Sequence, residues 1–250
     1  MLTSLPQPVI FAHRGASAHA PENTLSAFEL ALAQNADAIE LDVKLSADGH
    51  AVVIHDHTLD RTTGIHGRVK DCSLAELQSL DAGSFFSEKY SGEKIPTLEQ
   101  VFEAVGNRTF INVELTNYTT PRDSLVETVC MLVKKFGLQE RVLFSSFFAS
   151  NLSKAQAYLP EVPRGLLAFD GLLGAWARSF GFNFGRYQAL HPYLKDVTPQ
   201  QVQRVHRLKR RIHVWTVNAV EDMHRLFDWG VDAIFTDDPQ LAVQVRRESK

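Results

Sequence analysis

The stretch VIFAHRGASAHAPENTLSAFELALAQNADAIELDVKLS, residues 9–46, decides the fold. It opens with a short apolar run, continues through a segment (25–34) whose apolar residues repeat at helical spacing, and closes with a second strand-like run. Thr24 is a suitable N-cap for this helix, because its hydroxyl oxygen can accept a hydrogen bond from a free amide of the first turn. A strand, a helix and a strand in this order predict one unit of a parallel sheet.

The same alternation continues to the end of the chain. Strands are predicted at 9–13, 38–46, 109–115, 141–147, 164–169, 188–193, 213–217 and 232–237. Helical patterns occupy 25–34, 97–105, 122–136, 149–158, 172–180, 198–210, 220–228 and 239–248. Eight such units in 250 residues favour an α/β fold, a (β/α)8 (TIM) barrel that forms a single domain over residues 1–250. A doubly wound open sheet is the alternative, although the glycine fingerprint that such sheets often carry is absent after the first strand.

One region interrupts the alternation. Asp48-Gly49 is a tight-turn signal between two strand-like runs, so 41–55 is predicted to form a hairpin. The following residues, 57–96, are polar and rich in turn residues, with few long periodic segments. We therefore expect residues 47–96 to form a small insertion after the second strand.

The composition, 44% hydrophobic and 22% charged, is that of an ordinary globular protein. A net charge of −3 gives no support for a nucleic-acid partner or for a stable membrane association. The two cysteines, Cys72 and Cys130, lie far apart in the sequence. Such sparse cysteines are typical of a protein in a reducing compartment, and a single disulfide between them is the alternative. The first residues lack a signal-peptide pattern and no run of eighteen apolar residues occurs, so the expected location is the cytoplasm.

Polar residues are rare within the predicted strands and common at their carboxyl ends, where barrels of this type place their functional groups. These end residues are His13, Arg14, Glu40, Asp42, Glu114, Ser145, Ser146, His191, Trp215 and Asp237, with His55 and Asp56 closing the hairpin.

Three of these residues are carboxylates on neighbouring predicted strands. Glu40 and Asp42 stand two positions apart and so face the same side of a strand. Side by side they repel one another unless a cation lies between them, and Glu114 could supply a third oxygen. A site of carboxylates without clustered cysteines suits one divalent cation, Mg²⁺ or Ca²⁺, better than zinc. A salt-bridge network with Arg14 is the alternative interpretation.

Arg14, His13 and His55 add the remaining chemistry. The planar fork of the Arg14 guanidinium matches the oxygens of a phosphate. Imidazoles have a reference pKa of about 6.5, which suits proton transfer near neutral pH. A metal, a guanidinium and two acid–base groups together indicate phosphoryl chemistry.

Five segments carry a resemblance to a known family. HRGASAHAPENT (13–24), AIELDVKLSADGHAVVIHDHTLDRTTGIHGRV (38–69), NVEL (112–115), WTVN (215–218) and GVDAIFTDDP (230–239) resemble the glycerophosphodiester phosphodiesterases. The resemblance implies a (β/α)8 barrel with a small insertion after the second strand. It also implies metal-dependent hydrolysis of a small glycerophosphodiester to sn-glycerol 3-phosphate and an alcohol, through a cyclic phosphate.

The resemblance assigns roles to individual residues. It makes His13 and His55 the acid–base pair. The resemblance leaves open which is which, and we take His13 as the acid and His55 as the base. It makes Arg14 the phosphate ligand, places Glu22 and Asn23 near the phosphate, and puts Trp215 in the pocket wall. Its metal ligands are Glu40, Asp42 and Glu114.

Two positions depart from the family pattern. Thr116 stands where a lysine is usual, which predicts weaker binding or a changed substrate preference, and His57 replaces a common proline. A lysophospholipase D-like activity on the same barrel, or a catalytically weak barrel that only binds phosphoesters, remain alternatives. The apolar segment 171–186 predicts helix packing, and part of it could line the pocket or join two copies in a homodimer.

Overall fold

Eight parallel strands close on themselves in the structure, a computed structural model that describes residues 5–249. The strands are β1 (Val9–Ala12), β2 (Ala38–Leu45), β3 (Ala51–Val53), β4 (Phe110–Leu115), β5 (Val142–Ser146), β6 (Arg164–Ala168), β7 (Ala189–Pro192), β8 (Arg211–Val214) and β9 (Ala233–Thr236). Their order is β1-β2-β4-β5-β6-β7-β8-β9, and β9 pairs with β1 to complete the circle. The predicted (β/α)8 barrel is confirmed.

Helices separate the barrel strands. They are α1 (Leu25–Ala33), α2 (Asp60–Thr63), α3 (Leu74–Ser79), α4 (Leu98–Val105), α5 (Leu125–Lys135), α6 (Ala149–Tyr158), α7 (Phe182–Phe184), α8 (Pro199–Arg207), α9 (Val220–Asp228) and α10 (Pro239–Glu248). The N-cap of α1 is Thr24, as predicted, and its hydroxyl accepts a hydrogen bond from the Ala27 amide at 3.2 Å.

Alternation along each strand determines which side chains enter the barrel. On β1, Val9 and Phe11 point inward and pack in one cluster with Ala38, Leu143, Ala233 and Phe235, while Ile10 and Ala12 pack outward against the helices. Continuing this alternation by one step beyond the strand turns His13 inward. The inner positions therefore change from apolar to polar toward the carboxyl end of the barrel, which we call the mouth.

The insertion begins with the predicted hairpin. Strand β3 pairs with β2 in the antiparallel direction, with Val43 opposite Val53, and Gly49 in the turn has φ 85°. Beyond it, residues 57–96 form α2, α3 and single helical turns at Val69–Asp71 and Glu88–Tyr90. They enclose a small core of their own, which consists of Val52, Ile54, Leu59, Val69, Leu77, Ala82 and Ile95.

The helix predicted at 172–180 is the least regular element of the barrel. The chain forms a 3-10 turn at Gly171–Gly174, a π-helical stretch at Ala177–Gly181 and then α7. Large apolar side chains recur here every four residues and face outward, with exposed fractions from 56% to 93%. We call Leu172, Leu173, Trp176, Phe180 and Phe184 the apolar stripe.

Several smaller expectations can also be compared with the structure. Cys72 and Cys130 are free thiols, so these two residues form no disulfide. Across residues 5–249, we find no helix with the length and apolar character needed to cross a bilayer. Residues 1–4, which form part of the stretch inspected for a signal peptide, lie outside the described residues.

Candidate active site

Three carboxylates meet inside the mouth. Glu40 and Asp42 come from β2 and Glu114 from β4, and Asp42 lies directly opposite Glu114 in the register of the two strands. One oxygen of each lies within 4.8 Å of the others. Because parallel neighbouring strands end at the same edge, the sequence spacing of two on β2 is enough to build this cluster.

The cluster carries more negative charge than its surroundings neutralise. Burial, together with the charges of Asp42 and Glu114, raises the pKa of Glu40 well above its usual range. Burial and the charge of Asp42 raise the pKa of Glu114 to about 8, although Tyr118 donates a hydrogen bond of 2.8 Å to it. Burial would also raise the pKa of Asp42, but the charges of Arg14 and His55 lower it. Like-charged oxygens this close fit a site for a cation.

Arg14 lies against the same carboxylates in an uncommon backbone conformation. Its φ is 57°, in the left-handed region, and its amide donates a hydrogen bond of 2.9 Å to Glu40. Its Nε is 3.4 Å from Asp42, and its Nη1 donates to Glu22 at 2.9 Å. Burial would lower the pKa of Arg14, but the charges of Asp42, Glu22 and Glu40 raise it. The Nη2 group keeps its hydrogens free of protein partners within the described residues.

Glu22 and Asn23 hold these groups in place. Asn23 donates a hydrogen bond of 2.9 Å to Asp42 and accepts one from its amide. Glu22 pairs with Arg14 and also with Arg61 of the insertion, at 2.6 Å and 2.8 Å. Burial would raise the pKa of Glu22, but the hydrogen bond from Arg61 and the charge of Arg14 lower it.

His13 and His55 are each backed by a carboxylate. His13 Nδ1 is 2.7 Å from Asp237, which also accepts from Asn218 and Ser17. His55 Nδ1 is 2.7 Å from Asp56, which accepts from Arg61 as well. Burial would raise the pKa of Asp56, but the bonds from Arg61 and His55 lower it to about 2. A carboxylate only accepts hydrogen bonds, so each Nδ1 carries its proton and each neutral imidazole keeps a lone pair on Nε2.

These groups line one cavity of about 100 Å³, the central cavity. Its polar wall consists of His13, Arg14, Glu40, Asp42, His55, Asn112, Glu114, Ser145, His191 and Thr216. Its apolar wall consists of Phe147, Leu167, Trp215 and Phe235. Trp215 donates to the His191 carbonyl at 2.8 Å and meets Phe147 edge to face. The cavity therefore combines charged and apolar, mainly aromatic, lining residues.

Comparisons with known proteins agree with this geometry. The model of the glycerophosphoryl diester phosphodiesterase family matches residues 13–241. The chain belongs to this family. A relative from Caldanaerobacter subterraneus subsp. tengcongensis, described as glycerophosphodiester phosphodiesterase, is 40% identical over 241 residues, or 96% of this chain and 98% of the relative. One from Bacillus altitudinis, with the same description, is 38% identical, with coverages of 96% and 99%.

Solved structures of the family share the fold. An Oleispira antarctica phosphodiesterase, solved in complex with the product sn-glycerol-3-phosphate, superposes with a TM-score of 0.87 at 33% identity, covering 95% of this chain and 96% of the other. A glycerophosphodiester phosphodiesterase from Agrobacterium tumefaciens superposes with a TM-score of 0.82 at 31% identity, covering 95% and 100%. This member of the glycerophosphoryl diester phosphodiesterase family is an enzyme, a phosphoric diester hydrolase.

The structure brings most of the sequence-predicted residues to the central cavity of this family member. His13, Arg14, Glu40, Asp42, His55, Glu114 and Trp215 all line it. Glu22 and Asn23 do not line the cavity. They hold two residues that do, since Glu22 accepts from Arg14 and Asn23 donates to Asp42. Ser146 faces away and donates to the Leu115 carbonyl.

Sequence reasoning missed several residues of the site. Tyr118, on the loop after β4, donates to Glu114 of the cluster. Arg61, in the short helix α2 of the insertion, donates to Glu22 and Asp56. Neither segment carries a periodic signal that points to the site. Asn112 donates to Ser145 and leaves its own carbonyl oxygen buried, with no partner among the described residues. Its place two residues before Glu114 on β4 was the available signal, because alternation puts both side chains inside the barrel.

Proposed function

We propose that the enzyme hydrolyses glycerophosphodiesters to sn-glycerol 3-phosphate and an alcohol, with His13 and His55 exchanging protons and one divalent cation assisting. The observation that carries this proposal is the meeting of three carboxylates, one arginine and two carboxylate-backed histidines in one cavity. The product held by the Oleispira antarctica relative supports the choice of substrate class.

Glu40, Asp42 and Glu114 would hold the cation, Mg²⁺ or Ca²⁺. The donors fit, because one oxygen from each of the three lies within 4.8 Å of the others and their mutual repulsion needs a positive charge. A bound cation would polarise the phosphoryl oxygen and lower the pKa of a hydroxyl beside it.

In the first step, a glycerol hydroxyl of the substrate attacks the neighbouring phosphorus. His55, which starts this step as the neutral ring, takes the hydroxyl proton on Nε2 as the new P–O bond forms. His13, which starts it as the imidazolium, gives its Nε2 proton to the leaving alcohol as the old bond breaks. Both imidazoles line the central cavity with the three carboxylates, which supports the pair, and we assign His55 as the base. An attacking group on the substrate removes the need for a serine or cysteine nucleophile.

In the second step, water opens the cyclic phosphate with the histidine roles reversed. Arg14 binds the phosphoryl oxygens through its free Nη2 in both steps, because its left-handed backbone and the pair with Glu22 fix the guanidinium. Asp237 and Asp56 stabilise each imidazolium as it forms.

The test compares glycerophosphocholine with an analogue that lacks the glycerol 2-hydroxyl. After chelation and return of metal, the enzyme should release glycerol 3-phosphate from glycerophosphocholine and leave the analogue intact. Hydrolysis of both at similar rates would exclude the substrate hydroxyl as nucleophile. Binding of glycerophosphocholine without turnover would instead favour the weak phosphoester-binding alternative.

A lysophospholipase D-like activity is the second candidate, favoured by the aromatic wall. Phe147, in the central cavity, stacks on Phe169 with their ring centroids 4.1 Å apart, and Phe169 is 46% exposed. These two rings therefore form an apolar surface that continues from the cavity to the outside. An acyl chain could follow this path. The ratio of kcat/KM for lysophosphatidylcholine and glycerophosphocholine separates the two: a ratio well below one supports the first proposal.

A further inference from the structure

A second cavity of about 270 Å³ opens beside the central cavity. The two are related by a simple shift along the chain. Asp42, Glu114 and His55 line the central cavity, and the residues two positions further, Lys44, Thr116 and His57, line the second. We call this second cavity the side cavity. Two strand residues span about 7 Å, so its wall begins about 7 Å from the residues around the scissile phosphodiester.

The side cavity is lined by basic groups, and none of its lining residues is Asp or Glu. Lys44, His57, Arg68 and Lys70 contribute to its wall. Lys70 is paired with Asp71 at 3.3 Å. Among the described residues, Arg68 and His57 have no side-chain hydrogen bond or ion pair, so their donors remain available.

Lys44 places a positive charge in the wall of the side cavity. Its amine donates to the Thr116 carbonyl at 3.0 Å and to the Thr116 hydroxyl at 2.8 Å, which fixes it at the inner wall of the side cavity. An ammonium has three hydrogens, so one is left. Asp123, the acid of the loop after β4, already accepts from Asn117, Thr120 and the Leu125 amide.

We propose that the side cavity binds a second anionic group, a phosphate or carboxylate carried by the leaving alcohol of the substrate. The inference deepens the proposed function and rests on it. The central cavity neutralises Arg14 with Asp42, Glu22 and Glu40, whereas the guanidinium of Arg68 is unpaired and matches a phosphate in a two-point contact. The enzyme thus prefers glycerophosphodiesters that are negatively charged at both ends.

The test uses two substrates that differ by one phosphate, glycerophosphoinositol and glycerophosphoinositol 4-phosphate. The wild-type enzyme should have the higher kcat/KM for the phosphorylated compound. Arg68→Ala should lower that value about 10- to 100-fold, the effect of one charge-assisted contact, and leave glycerophosphoinositol unchanged. Arg68→Glu should lower it further. Lys89→Ala, which removes an exposed charge of the same insertion outside the side cavity, is the matched control and should change neither value.

Several results would overturn the inference. One is an equal preference in wild type and Arg68→Ala. Another is that Arg68→Ala relieves inhibition of glycerophosphocholine hydrolysis by inorganic phosphate without changing the ratio of the two inositol substrates, since the side cavity would then take free phosphate. Cleavage of glycerophosphocholine but of neither inositol compound overturns this inference alone. Cleavage of none of the three overturns the proposed function as well.

Discussion

His13 and His55 occupy equivalent positions, each with Nδ1 on an ionised carboxylate, yet their surroundings differ. Asp237 lies next to His13 and also accepts from Ser17, whereas Asp56 and Arg61 lie next to His55. In both cases the carboxylate fixes the orientation of the ring and leaves Nε2 for the substrate. Their roles exchange during the reaction because each has the same kind of support.

Replacing either histidine by alanine should lower kcat for glycerophosphocholine about 10² to 10⁴-fold, the usual contribution of a general acid or base. Asp237→Asn should lower it less, because the imidazole stays but loses its ionised partner. His66→Ala, from an exposed His–Asp pair of the insertion, is the control and should leave kcat unchanged. Turnover close to wild type in His13→Ala would contradict the assignment.

A second histidine pair lies deeper in the barrel. His191 and His213 are fully buried, and His213 Nδ1 is 3.1 Å from His191 Nε2. The His191 ring occupies the space that a side chain at Gly165, on the neighbouring strand β6, would need. Burial lowers the pKa of both, that of His191 to about 3. One neutral ring donates to the other.

These buried histidines should make the protein acid-sensitive. Between pH 6.5 and about 3 the unfolded chain binds protons that the folded chain does not, so the free energy of unfolding falls as pH falls. The expected slope is up to ~1.4 kcal/mol per pH unit for each histidine. Urea unfolding at pH 7 and pH 5 measures it, and NMR should show His191 and His213 unchanged across this range. A titrating His191 resonance would contradict the prediction.

At the scale of elements, the turn after β1 sets the position of Arg14. Gly15 has φ 84°, and a Cβ there would lie 2.7 Å from the backbone of Ala27 in α1. The turn therefore presses directly against the helix that follows it. Only glycine satisfies both the conformation and the space.

Gly15→Ala should cost more stability than Gly49→Ala, although both positions have nearly the same φ. Gly49 has nothing within 4 Å of an added Cβ, so its change costs only the left-handed conformation, about 1–2 kcal/mol. Gly15→Ala adds overpacking of about 1–3 kcal/mol. Urea unfolding compares them, and kcat should fall only in Gly15→Ala as Arg14 moves. Equal losses would show that the helix yields at Ala27.

Strands β2 and β4 together build the acidic cluster. Chelation should abolish activity, and Glu40→Ala should need a far higher metal concentration for half-maximal rate, because one of three carboxylate ligands is lost. Calorimetric titration of Mg²⁺ and Ca²⁺ measures the affinity directly. Glu99→Ala, at an exposed carboxylate on α4, is the control. Full activity in excess chelator would rule out the metal.

At the scale of the whole molecule, the order of the elements could be predicted from the sequence. Most barrel strands are short apolar runs with polar residues toward their ends, and most helices keep their apolar spacing. The exception is the helix predicted at 172–180, which is replaced by a 3-10 turn and a π-helical stretch. The prediction was less accurate where backbone pairing sets the limits: 213–217 was expected as a strand, but β8 is Arg211–Val214 and Trp215 forms only a single bridge to Tyr193.

The site was predictable to the extent that it lies on strands. Alternation and the shared mouth placed Glu40, Asp42 and Glu114 together from spacing alone. Tyr118 and Arg61 could not be placed from the sequence. Tyr118 reaches Glu114 from the irregular loop after β4, and Arg61 reaches Glu22 from α2, whose position depends on the folded insertion. The apparent loss of charge at Thr116 also needed the structure, which shows the Lys44 amine resting on that residue.

The apolar stripe predicts a homodimer. At about 200 Å² for a large side chain, the exposed fractions of its five residues amount to roughly 700 Å², near the ~800 Å² that each partner buries in a standard interface. Light scattering should give twice the chain mass of 28.0 kDa. Leu173→Ser with Trp176→Ser should give the single mass, and Met131→Ser, an exposed residue of α5, should not. A monomeric wild type would contradict the prediction.

The bridge from Arg61 through Glu22 to Arg14 means that the insertion is not an interchangeable module. A chimera carrying the insertion of a relative would keep its eight strands. The Arg14 guanidinium, which we propose binds phosphate, would lose the support of Arg61 through Glu22 unless the grafted insertion also supplied an arginine. An insertion exchanged between homologues therefore has to preserve the ion pairs Arg61–Glu22 and Glu22–Arg14, which join the insertion to the barrel.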